Sequence, residues 1–519
     1  MVTPVYGWTE PLLTARLRAD PSGIQDAGTG WQAILLPGMT TQTTGVRYIS
    51  LFTAARYLRQ ITGESKLKST PLNDFWRRLE ALIAVCSVLH HEDRDSPPSG
   101  IIGRTYADRV LPRSVISLQT GLRNPPYRIY RGTLGALNLF DLSKPSDPLF
   151  EGAQSLGRAW NPSSAGKIGK LMVMGNLPEA VKRSDLASVS DAFCLCRVPD
   201  GSTEQQELVD LLFGLKHRDE CPQFSEEGIM GMGVRVASWR LLLEIVVASP
   251  GRALWGEQLM GRILENDMLG LSLIDPLRQT LLIWRWIAAR SFFERGWTLL
   301  FNDTFNVLRN ERFGLSSDDL QHLIKNSYTS QHWDEHLDKL MQDAKGNLRV
   351  GDWYAQRFQR SQPRDSLQMI VAGLLAAEED RSTLDSAILE ALHRSGAIPF
   401  SLEQTRLFSA LERHLMASDF WAETSTETLV HHVCISLRKM RQGNPDTLHV
   451  DLENGRWVVP TKALGWDPLP ASANSRLDIA IGWAQQLGLL VSNEDESLTL
   501  TPLGRRVRHR WDELYKEWV

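Results

Sequence analysis

The stretch LLIWRWIAARSFFERGWTLLFNDTFNVLR, residues 281–309, decides the architecture of this chain. Leu282, Trp286, Ala289, Phe293, Trp297, Leu300 and Leu308 recur at spacings of three, four and eight. Those spacings put them on one side of an α-helix. Leu281, Ile283, Trp284, Ile287, Phe292, Leu299, Phe301 and Phe305 cover most of the remaining circumference. A helix that is apolar nearly all round has to be wrapped by neighbours. Arg285, Arg290, Glu294 and Arg295 interrupt it too often for a membrane span. Asp275-Pro276 just ahead reads as a carboxylate cap followed by a proline at the first helical position. The aromatics could line a haem or flavin pocket, but at this spacing they read as core packing.

The rest of the chain fits a helical body around that hub. At 519 residues it is long enough for about three domains. An apolar content of 42% and a charged content of 23% are those of an ordinary globular protein. The net charge of −4 supplies no global basic field, so any nucleic-acid contact has to come from a local patch. Seventeen tryptophans point to aromatic-anchored cores or interfaces. Five cysteines, Cys86, Cys194, Cys196, Cys221 and Cys434, form no disulfide framework, which suits a reducing cytoplasm. No signal-peptide pattern opens the chain. The expected location is cytoplasmic.

The patterning predicts helices over about 72–90, 204–216, 234–248 and 254–265, then the buried helix, then 317–326, 332–344, 367–379, 384–395 and 425–442. Residues 171–174 and 192–198 read as short strands, and 145–166, rich in Pro, Ser and Gly, as a long surface loop. The expected division is a mostly helical domain with Gly/Thr/Pro-rich loops at 1–200, a helical core domain at 201–415 and a third domain at 416–519.

Two N-terminal stretches carry a resemblance. Pro37-Gly-Met-Thr-Thr-Gln-Thr-Thr-Gly-Val-Arg-Tyr48 is followed by Gly100-Ile-Ile-Gly-Arg104 and by Leu111-Pro112-Arg-Ser114. In that order they resemble an uncharacterised bacterial family encoded beside helicase and phospholipase-D-like genes in phage-defence islands. The resemblance covers about the first 130 residues. It departs where Val115-Ile116-Ser117 stands in place of the family's aromatic-rich segment. It implies a genomic setting rather than a reaction.

The C-terminal segment changes character. Residues 448–460 alternate around Asn454-Gly455, a strong hairpin signal. A helix over 475–487, with Leu477, Ile479, Ala480, Trp483, Ala484 and Leu487 inward, runs into a second hairpin with an acidic tip, Asn493-Glu494-Asp495-Glu496. Pro502 then starts a basic helix. That order resembles a winged helix, in which the helix before the hairpin often enters the major groove and the wing touches the backbone. The fold class expected is mainly α, a multi-domain helical body with minor β and a C-terminal winged-helix (α+β) domain. The expected DNA contacts are Arg476, Gln485 and Gln486 on the exposed side of the helix, and Arg505, Arg506, Arg508, His509 and Arg510 beyond the wing. Guanidinium groups suit phosphate because they pair bidentately and stay charged.

No other motif carries comparable weight. His332-Trp-Asp-Glu335-His336 has the spacing of a zinc-peptidase motif, with two histidines on one helix face and a glutamate as general base. As a structural feature it is an exposed helix of mixed charge. Cys194-Leu-Cys196 with Cys221 could bind zinc, although a Cys-x-Cys pair inside an apolar segment is more often core. Ser163 to Lys167 lacks the first glycine of a phosphate loop, and Gly228, Gly231 and Gly233 do not make a dinucleotide fingerprint. The expectation is a non-catalytic component of an anti-phage defence or DNA-processing complex, without cofactor or metal. Its partners would be DNA and protein subunits such as a helicase or nuclease, with no membrane. A free-standing transcription regulator is the alternative, and a zinc-dependent hydrolase the remote one.

Overall fold

The computed structural model describes residues 32–62, 70–92, 100–119, 125–216, 232–327, 450–464 and 476–518, apart from a few positions within them. The expected helices at 332–344, 367–379, 384–395 and 425–442 lie outside the described residues. The fold is mainly helical. In chain order the main elements among the described residues, short helical turns such as Arg183–Ala187 and Asn266–Leu269 aside, are α1 (Arg47–Thr62), α2 (Leu72–Leu89), α3 (Arg104–Val110), β1 (Val115–Ser117), α4 (Pro126–Ala136), α5 (Gln154–Ala159), α6 (Gly166–Val173), β2 (Ala180–Lys182), α7 (Ser190–Phe193), α8 (Thr203–Phe213), α9 (Met232–Val247), α10 (Glu257–Leu264), α11 (Asp275–Asn310), α12 (Ser317–Ser327), β3 (Asp451–Glu453), β4 (Arg456–Val458), α13 (Arg476–Gln486), β5 (Leu490–Ser492), β6 (Leu498–Leu500) and α14 (Pro502–Trp518). Among the described residues the strand pairs are antiparallel: β1 with β2, β3 with β4, and β5 with β6.

Helix α11 contains the 281–309 stretch in 36 residues, a length of ~54 Å at 1.5 Å per residue. Leu281, Ile283, Trp284, Ile287, Ala288 and Ala289 are buried around its whole circumference, as are Phe305 and Leu308 near its end. It packs against α9, α10 and α12. Arg285 sits within this apolar girdle and is also fully buried. Its guanidinium donates to the carbonyls of Ile263 at 2.7 Å and Glu265 at 3.0 Å. Carbonyls at a helix C-terminus lack intrahelical partners, so this charge closes the end of α10. The start of α11 differs from the expectation. Asp275 is already helical and Ile274 is the cap residue, with no side-chain cap bond. Among the described residues no helix is long and apolar enough to cross a membrane.

Three further expectations are corrected. Residues 171–174 fall in or just after α6, and 192–198 begin in the short helix α7 rather than forming strands. A short apolar run does not distinguish a strand from a buried helical turn. Residues 145–166 are not one loop, because α5 lies within them and Trp160 is buried.

Both C-terminal hairpins form where the turn signals placed them. Asn454 and Gly455 have φ of +50° and +76°, as a two-residue hairpin turn requires. Its strand β4 joins the segment after α11: Leu315 and Trp457 exchange backbone hydrogen bonds at 3.0 and 2.7 Å. The β5–β6 hairpin is bridged at Ser497 to Ala253 in the α9–α10 connection. One continuous set of buried apolar side chains runs from Leu35 through α11 to Trp511.

Candidate functional site

The helix–hairpin–helix α13–β5–β6–α14 is seated on the N-terminal part of the chain. On α13, Leu477, Ile479, Ala480, Trp483 and Ala484 are buried, with Leu487 just beyond, as the spacing predicted. Trp483 donates through Nε1 to Thr43 O at 2.7 Å, and its ring stacks near Trp239 of α9 at 6.3 Å. Gln486 donates through Nε2 to Thr44 O at 3.0 Å and accepts from Val46 N at 2.9 Å. Its own carbonyl accepts from Val198 N at 3.0 Å, and Leu487 O accepts from Gln205 Nε2 at 2.8 Å. These contacts cross from residues 476–487 to residues 43–46 and 198–205.

Three of the expected DNA contacts are therefore placed differently. Arg476 is buried, not exposed: its guanidinium donates to Leu36 O at 3.1 Å and its amide to Gln32 Oε1 at 2.8 Å. Burial pushes this guanidinium down to about 10, which leaves it charged near neutrality. Gln486 has both amide atoms engaged with the backbone of residues 44–46. Gln485 is half-buried and donates to Ser492 Oγ of the hairpin at 2.9 Å. These polar residues hold the helix in place.

The last helix divides the remaining five. Val507 and Trp511 are buried, and Arg508 on their side forms an ion pair with Glu244 of α9 at 2.7 Å. Asp512 accepts from Nε and Nη2 of Arg240 at 2.8–3.1 Å. Burial pushes the Glu244 carboxyl up, but the Arg508 and Arg240 guanidiniums outweigh it and hold the group below the usual carboxylate range. Arg505, Arg506, His509 and Arg510 are exposed. Their spacing of one and four puts them on one side of α14. Arg505 donates to Leu500 O at 2.8 Å, His509 lies 3.4 Å from Glu513 and Arg510 3.8 Å from Asp210. The hairpin tip Asn493 to Glu496 is exposed and acidic.

The structure also brings the 37–48 and 100–104 stretches together. Thr44 donates to Gly100 O at 3.0 Å. Gly100 has φ of +79°, and a Cβ there would lie 2.1 Å from Thr44 Oγ1. Tyr130 accepts from Gly45 N and donates to Gly45 O at 2.8 and 2.9 Å. So the 37–48 stretch is the bed that receives Trp483 and Gln486. Its Arg47 reaches the other way, donating to Asp191 O and Cys194 O at 3.0 and 2.5 Å and to Glu204 Oε1 at 3.2 Å.

Beside that clamp lies a cluster the sequence did not reveal. His90 and His91, just past α2, face Cys194 and Cys196, just past α7, and one ligand atom from each lies within 4.8 Å of the others. Hydrogen bonding from the Cys194 thiol, reinforced by the two imidazoles, holds the Cys196 thiol down to about 5, and that same bond together with burial pushes Cys194 up. Cys221, the third member expected with them, lies outside the described residues, as do His332, Glu335 and His336. The Cys-x-Cys pair was legible in the sequence, but its partners stand over a hundred positions upstream and share no spacing with it. No family model, curated protein or solved structure matches the chain.

Proposed function

We propose that the protein is a non-catalytic component of a bacterial anti-phage defence or DNA-processing complex, and that α13, the β5–β6 hairpin and α14 form a winged helix that binds DNA. The observation that carries the reading is the exposed basic side of α14, Arg505, Arg506, His509 and Arg510, opposite a buried face that includes Val507 and Trp511. A helix anchored on one face and basic on the other is suited to phosphate contacts, which set position rather than sequence. Because Arg476 and Gln486 are engaged internally, contact with the duplex falls to α14 and the hairpin flank rather than to the helix before the hairpin. The resemblance of the first 130 residues supports the defence setting.

One observation favours a second reading, docking to a protein subunit such as a helicase or nuclease. The tip Glu494, Asp495 and Glu496 is exposed and would repel a phosphate backbone, yet it suits a basic protein surface. A gel-shift titration separates the two. Under DNA binding, the Arg505→Ala/Arg506→Ala/Arg510→Ala variant loses affinity for duplex DNA while Glu494→Gln/Glu496→Gln keeps or gains it. Wild-type protein that shifts no duplex at low salt overturns DNA binding and leaves the docking reading, which predicts that the tip variant releases a co-purifying subunit.

A further inference from the structure

The cluster at the ends of α2 and α7 lies apart from the basic side of α14 and calls for separate chemistry. It brings two imidazoles and two thiols together from segments about a hundred residues apart, with all four ligand atoms within 4.8 Å of one another. Two sulfurs and two nitrogens are the donor set of a closed, four-coordinate zinc site. At Zn–S of about 2.3 Å and Zn–N of about 2.0 Å, tetrahedral ligands stand roughly 3.3–3.8 Å apart, so only small side-chain rotations separate this cluster from a coordinated one.

Independent features point the same way. His91 Nε2 is buried and has no hydrogen-bond partner, a state that costs free energy unless something fills it. Cys194 and Cys196 are free thiols rather than a disulfide. The amide of Cys196 donates to Cys194 Sγ at 3.3 Å, which fixes the orientation of that sulfur within the cluster. Asp191 Oδ1 lies 3.6 Å from His90 Nε2, so a carboxylate stands near one of the proposed ligands without being hydrogen-bonded to it. The backbone of the Cys-Leu-Cys loop is held from both sides, by Arg47 on Cys194 O and by Ser87 Oγ, which accepts from Leu195 N at 3.2 Å.

We propose that His90, His91, Cys194 and Cys196 bind one zinc ion that ties the end of α2 to the 194–198 segment. All four positions are taken by protein, so the site is structural rather than catalytic. Binding releases the thiol protons to solvent and forms two Zn–S and two Zn–N bonds, with no change of oxidation state. The segment it fixes carries Val198, whose amide donates to Gln486 O at 3.0 Å. The metal thereby supports the platform on which α13 sits.

The test is the metal content of the full chain purified from zinc-supplemented cells, measured by mass spectrometry, with folding followed by circular dichroism. The expected result is about one zinc per wild-type chain, lost in Cys194→Ser/Cys196→Ser and in His91→Ala, and retained in His332→Ala/His336→Ala. If the cysteine variant fails to fold, wild-type protein stripped and reloaded with cobalt(II) is read instead, and thiolate-to-cobalt charge-transfer absorption is expected. Wild-type chain that binds no zinc, or cobalt-loaded protein without that absorption, overturns the proposal. Zinc that survives the Cys194/Cys196 variant and disappears from the His332/His336 variant assigns the metal to the other pair and overturns it equally.

Discussion

Gln486 accepts a hydrogen bond from the amide of Val46 at 2.9 Å, across 440 positions of the chain. The same side chain donates back to Thr44 O, and Trp483 one turn earlier reaches Thr43 O. Helix α13 is thus part of the N-terminal core, while α14 is held to α9 by the Arg508–Glu244 and Asp512–Arg240 pairs.

Replacing Trp483 tests that anchorage. The residue is fully buried, so Trp483→Ala should cost ~3–5 kcal/mol of stability. Trp483→Phe keeps most of the volume and leaves Thr43 O without its donor, which should cost ~1–3 kcal/mol. Denaturant midpoints should rank wild type, then Phe, then Ala. Equal midpoints for all three would remove Trp483 from the core.

Gly100→Ala should destabilise through the contact between the 37–48 and 100–104 stretches. Its φ of +79° is strained for alanine, and the new Cβ would meet Thr44. A loss of ~1–3 kcal/mol is expected, whereas Gly132→Ala, where a Cβ meets nothing within 4 Å, should be neutral or stabilising. Thermal melts of the two variants provide the comparison.

Arg508 and Arg506 should behave differently although they are two residues apart. Arg508 is paired with Glu244, and Arg508→Ala should cost ~1 kcal/mol because the pair is partly exposed. Arg506→Ala should change stability little. Glu244 is depressed in the folded state, so the pairing contributes above the ordinary carboxylate range and is lost as pH falls through its folded value. The difference between the two variants in melting temperature should therefore shrink in acid.

Glu80 predicts the opposite pH trend. It is buried on α2, and burial pushes it up to about 7, against the pull of the Tyr127 amide that it accepts at 2.7 Å. A carboxyl raised on folding stabilises below its unfolded value and loses that contribution as pH rises through the folded one. Glu80→Gln should remove a loss of up to ~3 kcal/mol between about pH 4.5 and 7. Melting temperatures of variant and wild type should converge in acid and separate above neutrality, with the variant higher. Parallel curves would show that Glu80 does not titrate in this window.

Periodicity and turn chemistry made most elements legible. The all-round apolar pattern of residues 281–289 announced a wrapped helix, and Asn454-Gly455 announced a hairpin. The readings that failed depended on contacts distant in sequence. A polar residue at a helix start is usually exposed, but Arg476 is turned inward by Gln32 and Leu36, over 400 positions away. Arg285 looked like a mere interruption until the carbonyls of Ile263 and Glu265 were placed beside it. Cys194 and Cys196 in an apolar segment read as core rather than as metal ligands, because the two imidazoles beside them lie over a hundred positions upstream. His90 and His91 stand beside the two cysteines only because α2 and α7 pack together.

The most direct test of the account is the salt dependence of duplex binding, measured by fluorescence anisotropy for wild type and for Arg505→Ala/Arg506→Ala/Arg510→Ala. Each lost phosphate contact lowers the slope of log affinity against log salt by about 0.9. The account predicts a shallower slope in the variant, by about 2–3, with only a small drop in melting temperature from the lost Arg505 and Arg510 contacts. An identical slope for the two proteins would contradict it.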